Sequence, residues 1–317
     1  MSEPVLAAVV VTYNRLAQLQ ITIERLLAEP VDHLVVVDNG SNDGSREWLW
    51  SLHDPRLTLI EPKENGGGAM GFEIGMKAAV DRFDPDWLVI MDDDARPRAG
   101  TLARFKAAVP EADAVAGAVF YPGGGLVEMN RPWVNPFASA RSFWKALTGG
   151  RGGFHVSDAA YAPEAGQSAI DGASFVGLFL SRRAVELAGY PDGRLFIYGD
   201  DVLYTLSLAK RGGRTLFDPA LVFDHDCAQA APGEIWRPLW KTYYLHRNRW
   251  FVYRLAAGPV LFWPLMALMV PKWFWNARRL QGEERVIYRR LLKLALSDAW
   301  KGQRHRPHAQ ILALAAG

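Results

Sequence analysis

With 317 residues, half of them hydrophobic, the chain has enough apolar side chain for one large α/β domain with additions, or for two domains. A single cysteine, Cys227, excludes an internal disulfide framework and fits a reducing cytoplasm, and no basic segment followed by a long apolar one opens the chain, so no secretion signal is expected. The net charge of +2 conceals an asymmetry: residues 237–317 carry 15 Lys/Arg against 3 Asp/Glu, and residues 1–236 carry 21 against 31. That basic, tryptophan-rich end points to an anionic membrane surface or another polyanion, or to packing against the acidic body; no nucleic-acid partner is expected.

Val5 to Val11 is a near-continuous apolar run, the pattern of a central parallel strand, and it ends in Thr12-Tyr13-Asn14-Arg15. Leu16, Leu19, Ile23, Leu26 and Leu27 then recur at helical spacing. A second strand, His33 to Val37, ends in Asp38-Asn39-Gly40-Ser41, and Asn42-Asp43 can cap the helix carrying Trp48 and Leu49. A third strand, Leu57 to Ile60, leads through Pro62 to Asn65-Gly66-Gly67-Gly68 and a helix over about 69–83. The fourth, Trp87-Leu88-Val89-Ile90, runs into Met91-Asp92-Asp93-Asp94. Four βα units in succession predict a mostly parallel sheet with helices on both faces. Ligands bind such sheets at the carboxyl ends of the strands, where all four polar clusters fall.

Three consecutive carboxylates at a strand end repel one another. Hard oxygen donors suit Mg²⁺ or Mn²⁺, and side-chain alternation lets Asp92 and Asp94 face one way as a metal-binding pair, with Asp93 facing the other. The plainer alternative is a solvated acidic turn. Gly66-Gly67-Gly68-Ala69-Met70-Gly71 also matches G-x-G-x-x-G, with Asp92 21 residues beyond, which makes a dinucleotide-dependent oxidoreductase an alternative. The match lies in the third βα unit, however, and the same glycines would allow close backbone approach to a nucleotide sugar.

Taken together, VVVTYNR, VVVDNGSNDGS, ENGGGAMGFEIGM and VIMDDDA resemble a family 2 glycosyltransferase of GT-A (nucleotide-diphospho-sugar transferase) fold. The resemblance is close over residues 5–110 and looser to about residue 250. The NGGGAMGF stretch and the triple aspartate look most like the galactofuranosyltransferase and rhamnosyltransferase branch. The resemblance implies that Thr12, Arg15 and Asp38 hold the nucleotide base, that Asp93 contacts the nucleotide with Asn65 and Gly67 nearby, and that Asp92 and Asp94 bind Mn²⁺ or Mg²⁺. It also places Asp171, in the loop before an expected strand at 175–180, beneath the donor and acceptor sugars.

Residues 121–153, rich in Gly, Pro and aromatics, read as irregular loops in which Trp133 and Trp144 are sugar platforms or packing residues. A short helix is expected over 182–187. Phe196-Ile197-Tyr198 reads as a strand end delivering Asp200-Asp201 to a helix start. One of these carboxylates suits a helix cap, but inverting transfer needs a carboxylate to take the acceptor proton. The resemblance assigns that role to Asp201, with Asp200 positioning the acceptor. Ala220 to Phe223 reads as a short strand ending at His225, which falls where related transferases place a metal-binding histidine; Cys227 is expected to be buried. Tyr243-Tyr244-Leu245-His246-Arg247-Asn248 resembles a family segment that contacts the diphosphate or orders the acceptor loop.

The uncharged stretch 255–271, flanked by basic residues and tryptophans, suggests peripheral membrane contact through 255–275, with a buried helical hairpin as the alternative. A basic amphipathic helix at about 283–300 would extend that surface or pair with a second subunit. The expected division is a catalytic domain over 1–236 and a basic helical region over 237–317. The function expected is an inverting, metal-dependent glycosyltransferase of cell-envelope polysaccharide synthesis, at the inner face of the cell membrane. It would use UDP-galactofuranose, or next dTDP-rhamnose, as donor and a glycan or lipid-linked glycan as acceptor. A non-catalytic nucleotide-sugar-binding protein is the other alternative.

Overall fold

The computed structural model describes residues 3–228 and 235–316. Its elements are β1 (Leu6–Thr12), α1 (Leu16–Leu27), β2 (His33–Asp38), α2 (Ser45–Ser51), β3 (Leu57–Ile60), α3 (Gly67–Phe83), β4 (Trp87–Asp92), β5 (Ala95–Pro97) and α4 (Thr101–Ala107). There follow β6 (Ala114–Phe120), α5 (Ala140–Gly149), β7 (Ser168–Ile170), β8 (Leu178–Ser181), α6 (Arg182–Ala188), α7 (Asp200–Lys210) and β9 (Thr215–His225). The chain closes with α8 (Lys241–Asn276), α9 (Gly282–Trp300) and α10 (His308–Ala316).

The strands form one sheet in the order β3-β2-β1-β4-β8-β6-β9-β5, with β7 beside β9. β1 to β4 run parallel, as the apolar runs of the first ninety residues require, and β6 and β9 run parallel to each other. β8 is antiparallel between β4 and β6, and β5 and β7 are antiparallel to β9. Alternation along β1 feeds two cores. Leu6, Ala8 and Val10 meet Leu19 and Ile23 of α1 and Phe105 of α4, whereas Ala7, Val9 and Val11 meet Phe72 and Met76 of α3. Helices therefore cover both faces. A third core joins α8, α9 and α10 to Leu195, Leu203 and Leu206, so the basic C-terminal region is packed onto the body.

Five local expectations are corrected. Residues 196–199 are no strand: Phe196, Tyr198 and Gly199 have φ of 68°, 69° and 78°, left-handed values that no strand tolerates. The last strand is eleven residues long and begins at Thr215; the pairing jumps from Gly117↔Asp218 to Ala118↔Val222, so Pro219, which cannot donate to a ladder, sits in an irregularity. The 121–153 stretch contains a capped helix, α5. The apolar stretch 255–271 belongs to the 36-residue α8, which is broken at Gly258 (φ 67°, ψ 180°), a conformation open to glycine alone. Cys227 is half-buried beside Met129.

Two glycines of the Gly66–Gly71 stretch are explained by contacts within the chain: Gly71 of the G-x-G-x-x-G match and Gly67, which lies between its first two glycines. A Cβ on Gly71 would lie 2.5 Å from Val11 Cγ1, so the missing side chain lets α3 lie close on the sheet. A Cβ on Gly67 would lie 2.2 Å from the Phe196 carbonyl oxygen, and Gly67 has φ 76°. Gly68, its neighbour, has open space around it. Gly67→Ala should therefore destabilise the protein by about 2 kcal/mol or more, and Gly68→Ala by far less. Denaturant midpoints of the two variants compare them directly, and equal effects would show that the Gly67–Phe196 contact does not matter.

Candidate active site

β4 ends at Asp92, and Asp93-Asp94 make the turn into β5. β5 pairs with the end of β9, so Ala95 lies opposite His225 and the ring reaches the aspartates. One ligand atom from each of Asp92, Asp94 and His225 lies within 4.8 Å of the others. Asp93 turns away: its Oδ2 accepts from Thr12 Oγ1 at 2.7 Å. Thr22 Oγ1 donates to the Asp93 carbonyl at 2.7 Å, which fixes the turn on α1.

The electrostatics are those of crowded carboxylates. Desolvation and repulsion from Asp94 push Asp92 up to about 7. Desolvation also lifts Asp93 to about 6, although the Thr12 hydroxyl and Arg15 pull the other way. Burial opposes the charged form of Asp94 too, but His225 and Arg15 outweigh it and lower its pKa. Burial likewise opposes a charged His225, yet contact with Asp94 and the nearby Cys227 and Asp92 push the ring up to about 10. Arg15 ion-pairs with Asp94 and lies 3.6 Å from Asp93. The donor set, two hard oxygens and one imidazole nitrogen, suits a divalent cation of the Mn²⁺ or Mg²⁺ type. Asp94 Oδ1 fits that use: it is buried, and among the described residues its polar neighbour is another member of the set, His225 Nε2 at 3.1 Å.

His225 is itself oriented. Its Nδ1 lies 2.8 Å from Asn130 Oδ1, and Asn130 Nδ2 donates to Ser174 Oγ at 2.8 Å. With the amide so placed, Nδ1 carries the hydrogen and Nε2 presents its lone pair to the aspartates when the ring is neutral. Sequence reading missed Asn130, because it sits in an aperiodic stretch 95 residues from its partner.

The neighbouring loops are tied together. Asn14 N donates to Ser41 Oγ and Asn42 N to Asn14 Oδ1. Asn14, Arg15, Gln18, Asp43, Asp94 and Asp226 line an open cleft of about 460 Å³. Asp38 does not face it: the side chain is wholly buried and accepts from the Ser41 amide at 2.9 Å. Thr12 is buried as well, whereas Arg15 is half exposed. Asn65 Oδ1 accepts from Gly67 N, and Gly67 is buried under Phe196. Asp171 Oδ2 accepts from Asn135 N at 2.6 Å, which holds the 121–167 insertion. Trp133 packs against Gly172, whereas Trp144 is exposed on α5.

Asp200 and Asp201 open α7. Neither is the cap, which is Gly199; Asp201 Oδ1 accepts from Val202 N at 2.7 Å. Desolvation, then Asp201 beside it, push Asp200 well up, and the charge of Asp92 adds to this. Asp201, also desolvated, is pushed up to about 6. The loop before them is held by Arg247 and Asn248. Arg247 donates to the Leu195 carbonyl at 2.7 Å, and Asn248 Nδ2 to the Ile197 and Tyr198 carbonyls at 2.8 Å each. Arg247 is wholly buried, so it holds the loop over 195–198 from within the protein.

Residues 7–159 match the sequence profile described as Glycosyl transferase family 2. Galactofuranosyltransferase GlfT1 of Mycolicibacterium smegmatis is 28% identical over 211 residues, 66% of this chain and 66% of the relative, so the match spans just under two thirds of that protein. Undecaprenyl-phosphate mannosyltransferase of Micrococcus luteus is 34% identical over 126 residues, 38% of this chain and 50% of the relative. Among solved structures, mannosyltransferase PcManGT from Pyrobaculum calidifontis, in complex with GDP-Man and Mn²⁺, superposes with a TM-score of 0.52 at 20% identity, over 99% of this chain and 80% of that one. The fold is GT-A.

Asn130→Ala should release the His225 ring and weaken divalent-cation binding by about 10–100-fold. Calorimetric titration with Mn²⁺ measures this; an unchanged affinity would remove Asn130 as the residue that orients the ring.

Proposed function

We propose, on the premise that this chain belongs to glycosyl transferase family 2 through residues 7–159, that it is an inverting, metal-dependent enzyme moving a sugar from a nucleoside diphosphate donor to a glycan hydroxyl. The observation that carries this is the nearness of the Asp92–Asp94–His225 cluster to the Asp200–Asp201 helix start, whose Asp200 feels the charge of Asp92. A divalent cation held by Asp92, Asp94 and His225 would neutralise charge on the departing diphosphate, so that the leaving group needs no proton. Arg15, half exposed beside Asp94, would move from the carboxylates to the donor phosphates. Thr12 keeps Asp93 turned toward the nucleotide side, and Asp38 braces the loop that borders it. Asn65 and Gly67 shape the start of α3 beside the donor, and Asp171 anchors the insertion above the sugar. Asp201 would accept the acceptor hydroxyl proton. Its desolvation makes it a stronger base than an exposed aspartate, while the greater upward shift of Asp200 leaves that neighbour as a hydrogen-bond donor to the acceptor.

UDP-galactofuranose is the favoured donor and dTDP-rhamnose the next. The likeness to GlfT1 supports the first. The acceptor proposed is a glycan, lipid-linked as one relative's undecaprenyl-phosphate suggests, in cell-envelope synthesis. We place the catalytic unit at 1–236 and membrane contact in the 237–317 region, on the cytoplasmic face. By length and composition Lys241–Arg279 could cross a bilayer. Its first half, however, carries Arg247 and Asn248 in the protein core, which leaves the part after Gly258, with Val260, Trp263, Leu268 and Trp275 exposed, to lie at an interface. The dinucleotide alternative is disfavoured by the match of residues 7–159 to the glycosyl transferase family 2 profile.

Calorimetry with UDP, dTDP, GDP and NAD in the presence of Mn²⁺ tests the donor class: UDP binding lost with EDTA is expected, and metal-independent NAD binding would overturn the reading. Asp94→Ala should weaken metal-dependent UDP binding at least about tenfold. Asp201→Asn should keep UDP binding and lower transfer by about 100-fold or more. Because an ionised Asp201 is required, kcat/KM should rise with pH through about 6. Transfer retained by Asp201→Asn, or a profile flat through that range, would remove it as the base.

A further inference from the structure

α5 has no buried face among the described residues. None of its ten residues is buried, and Phe143, Trp144 and Leu147 are 36%, 62% and 62% exposed. Ser139 caps it, accepting from Ser142 N at 3.1 Å, yet a ten-residue helix with no buried face is marginal in water. The apolar side chains lie at i, i+1 and i+4 and so share one side. Arg141, Lys145 and Arg151 lie among or beside them, and residues 129–157 contain no carboxylate.

The helix is strapped to the membrane-facing end proposed above. Asn135 N donates to Asp171 Oδ2 at 2.6 Å, and Asn135 Nδ2 donates to the Ala256 carbonyl at 3.1 Å, two residues before the Gly258 break. Phe137 packs on the core of the C-terminal helices and lies 6.3 Å, ring to ring, from Phe143. The stem of α5 and the exposed half of α8 thus leave the body from one anchor point.

We propose that α5 is a second membrane-binding element, whose Phe143, Trp144 and Leu147 enter the interface of an anionic bilayer while Arg141, Lys145 and Arg151 meet the lipid headgroups. This rests on the reading of 255–275 as a membrane contact and extends it to the insertion. Arg141 and Lys145 pair with no carboxylate among the described residues, and that selects an anionic surface over a neutral one. The Asp171–Asn135–Ala256 bridge would then hold the catalytic cleft at a fixed place above that surface, where a lipid-linked acceptor emerges.

Hydrogen exchange of the full chain, with and without phosphatidylglycerol-containing vesicles, tests this. Protection of both 140–149 and 259–276 is expected, with little change on pure phosphatidylcholine. Protection of 259–276 alone would overturn the role of α5 and leave the reading of α8 standing; protection of neither would overturn both. Protection of 140–149 without lipid that grows with protein concentration would identify a second copy as the occupant and overturn the proposal. The variant Phe143→Ser/Trp144→Ser/Leu147→Ser should bind these vesicles about tenfold or more weakly and keep its UDP affinity. Unchanged vesicle binding by that variant would also overturn it.

Discussion

Three carboxylates at the end of one buried strand need more compensation than a strand end supplies. The cost of desolvating each is on the order of several kcal/mol, and each is met from a different part of the chain. β1 and α1 answer Asp93 through Thr12 and Thr22. Arg15 and His225 answer Asp94, and Asn130 and Ser174 hold His225 from the insertion and from the approach to β8. Asp92 is left with the least help, and its pKa is correspondingly raised. The order of the sheet follows from the same demand: β9 must pass β6 and meet the short β5 for His225 to stand opposite Ala95.

The other wall of the cleft depends on a second buried charge. Arg247 is fully enclosed, with no carboxylate in direct contact. Besides the Leu195 carbonyl and Asn248 Oδ1 it donates to the Tyr243 hydroxyl, which donates in turn to Asp298, and Asp298 pairs with Arg306. Burial raises the Asp298 carboxyl, but Arg306 and Tyr243 more than offset it and lower its pKa. This relay supports an arginine that, with Asn248, takes up the carbonyls of a loop holding three left-handed residues before α7. His308 of α10 stacks on Phe196 at 4.3 Å and closes the same loop from outside. The basic end of the chain is thus part of the structure that carries Asp200 and Asp201.

The first hundred residues were legible because parallel strands buried on both faces leave continuous apolar runs, and their carboxyl ends leave polar clusters. The meeting of Asp92 and Asp94 followed from alternation and that of His225 from a family resemblance. What escaped was governed by partners distant in sequence. Phe196 and Tyr198 look like strand residues but are bent by the Gly67 contact and the Asn248 amide. Asp38 looked like a ligand-facing acid, yet the turn it caps draws it inward. Asn130 carries no local signal, since its meaning lies wholly in His225. The glycine-rich match misled in the opposite direction: helix-to-sheet packing accounts for its Gly71, and the glycine held against the Phe196 loop is Gly67, which the pattern leaves free.

α8 joins these two regions. Up to Ala257 it is a core helix, with Tyr243, Arg247 and Trp250 enclosed; beyond Gly258 one side, with Phe262, Met266 and Trp273, stays in the core, whereas Val260 and Leu268 on the other are more than 70% exposed. A straight helix could not satisfy both environments with one apolar stripe, because the stripe keeps its direction along the axis. The break at Gly258 lets the second half take a new direction without disturbing the Arg247 and Asn248 contacts. Ala256, just before the break, also accepts from Asn135, which is fixed in turn by Asp171 beside β8. A force on the exposed half is therefore resisted at two points next to the cleft, the loop before Asp200 and the stem of the insertion, so docking of that half on a surface would orient the cleft as well as tether it.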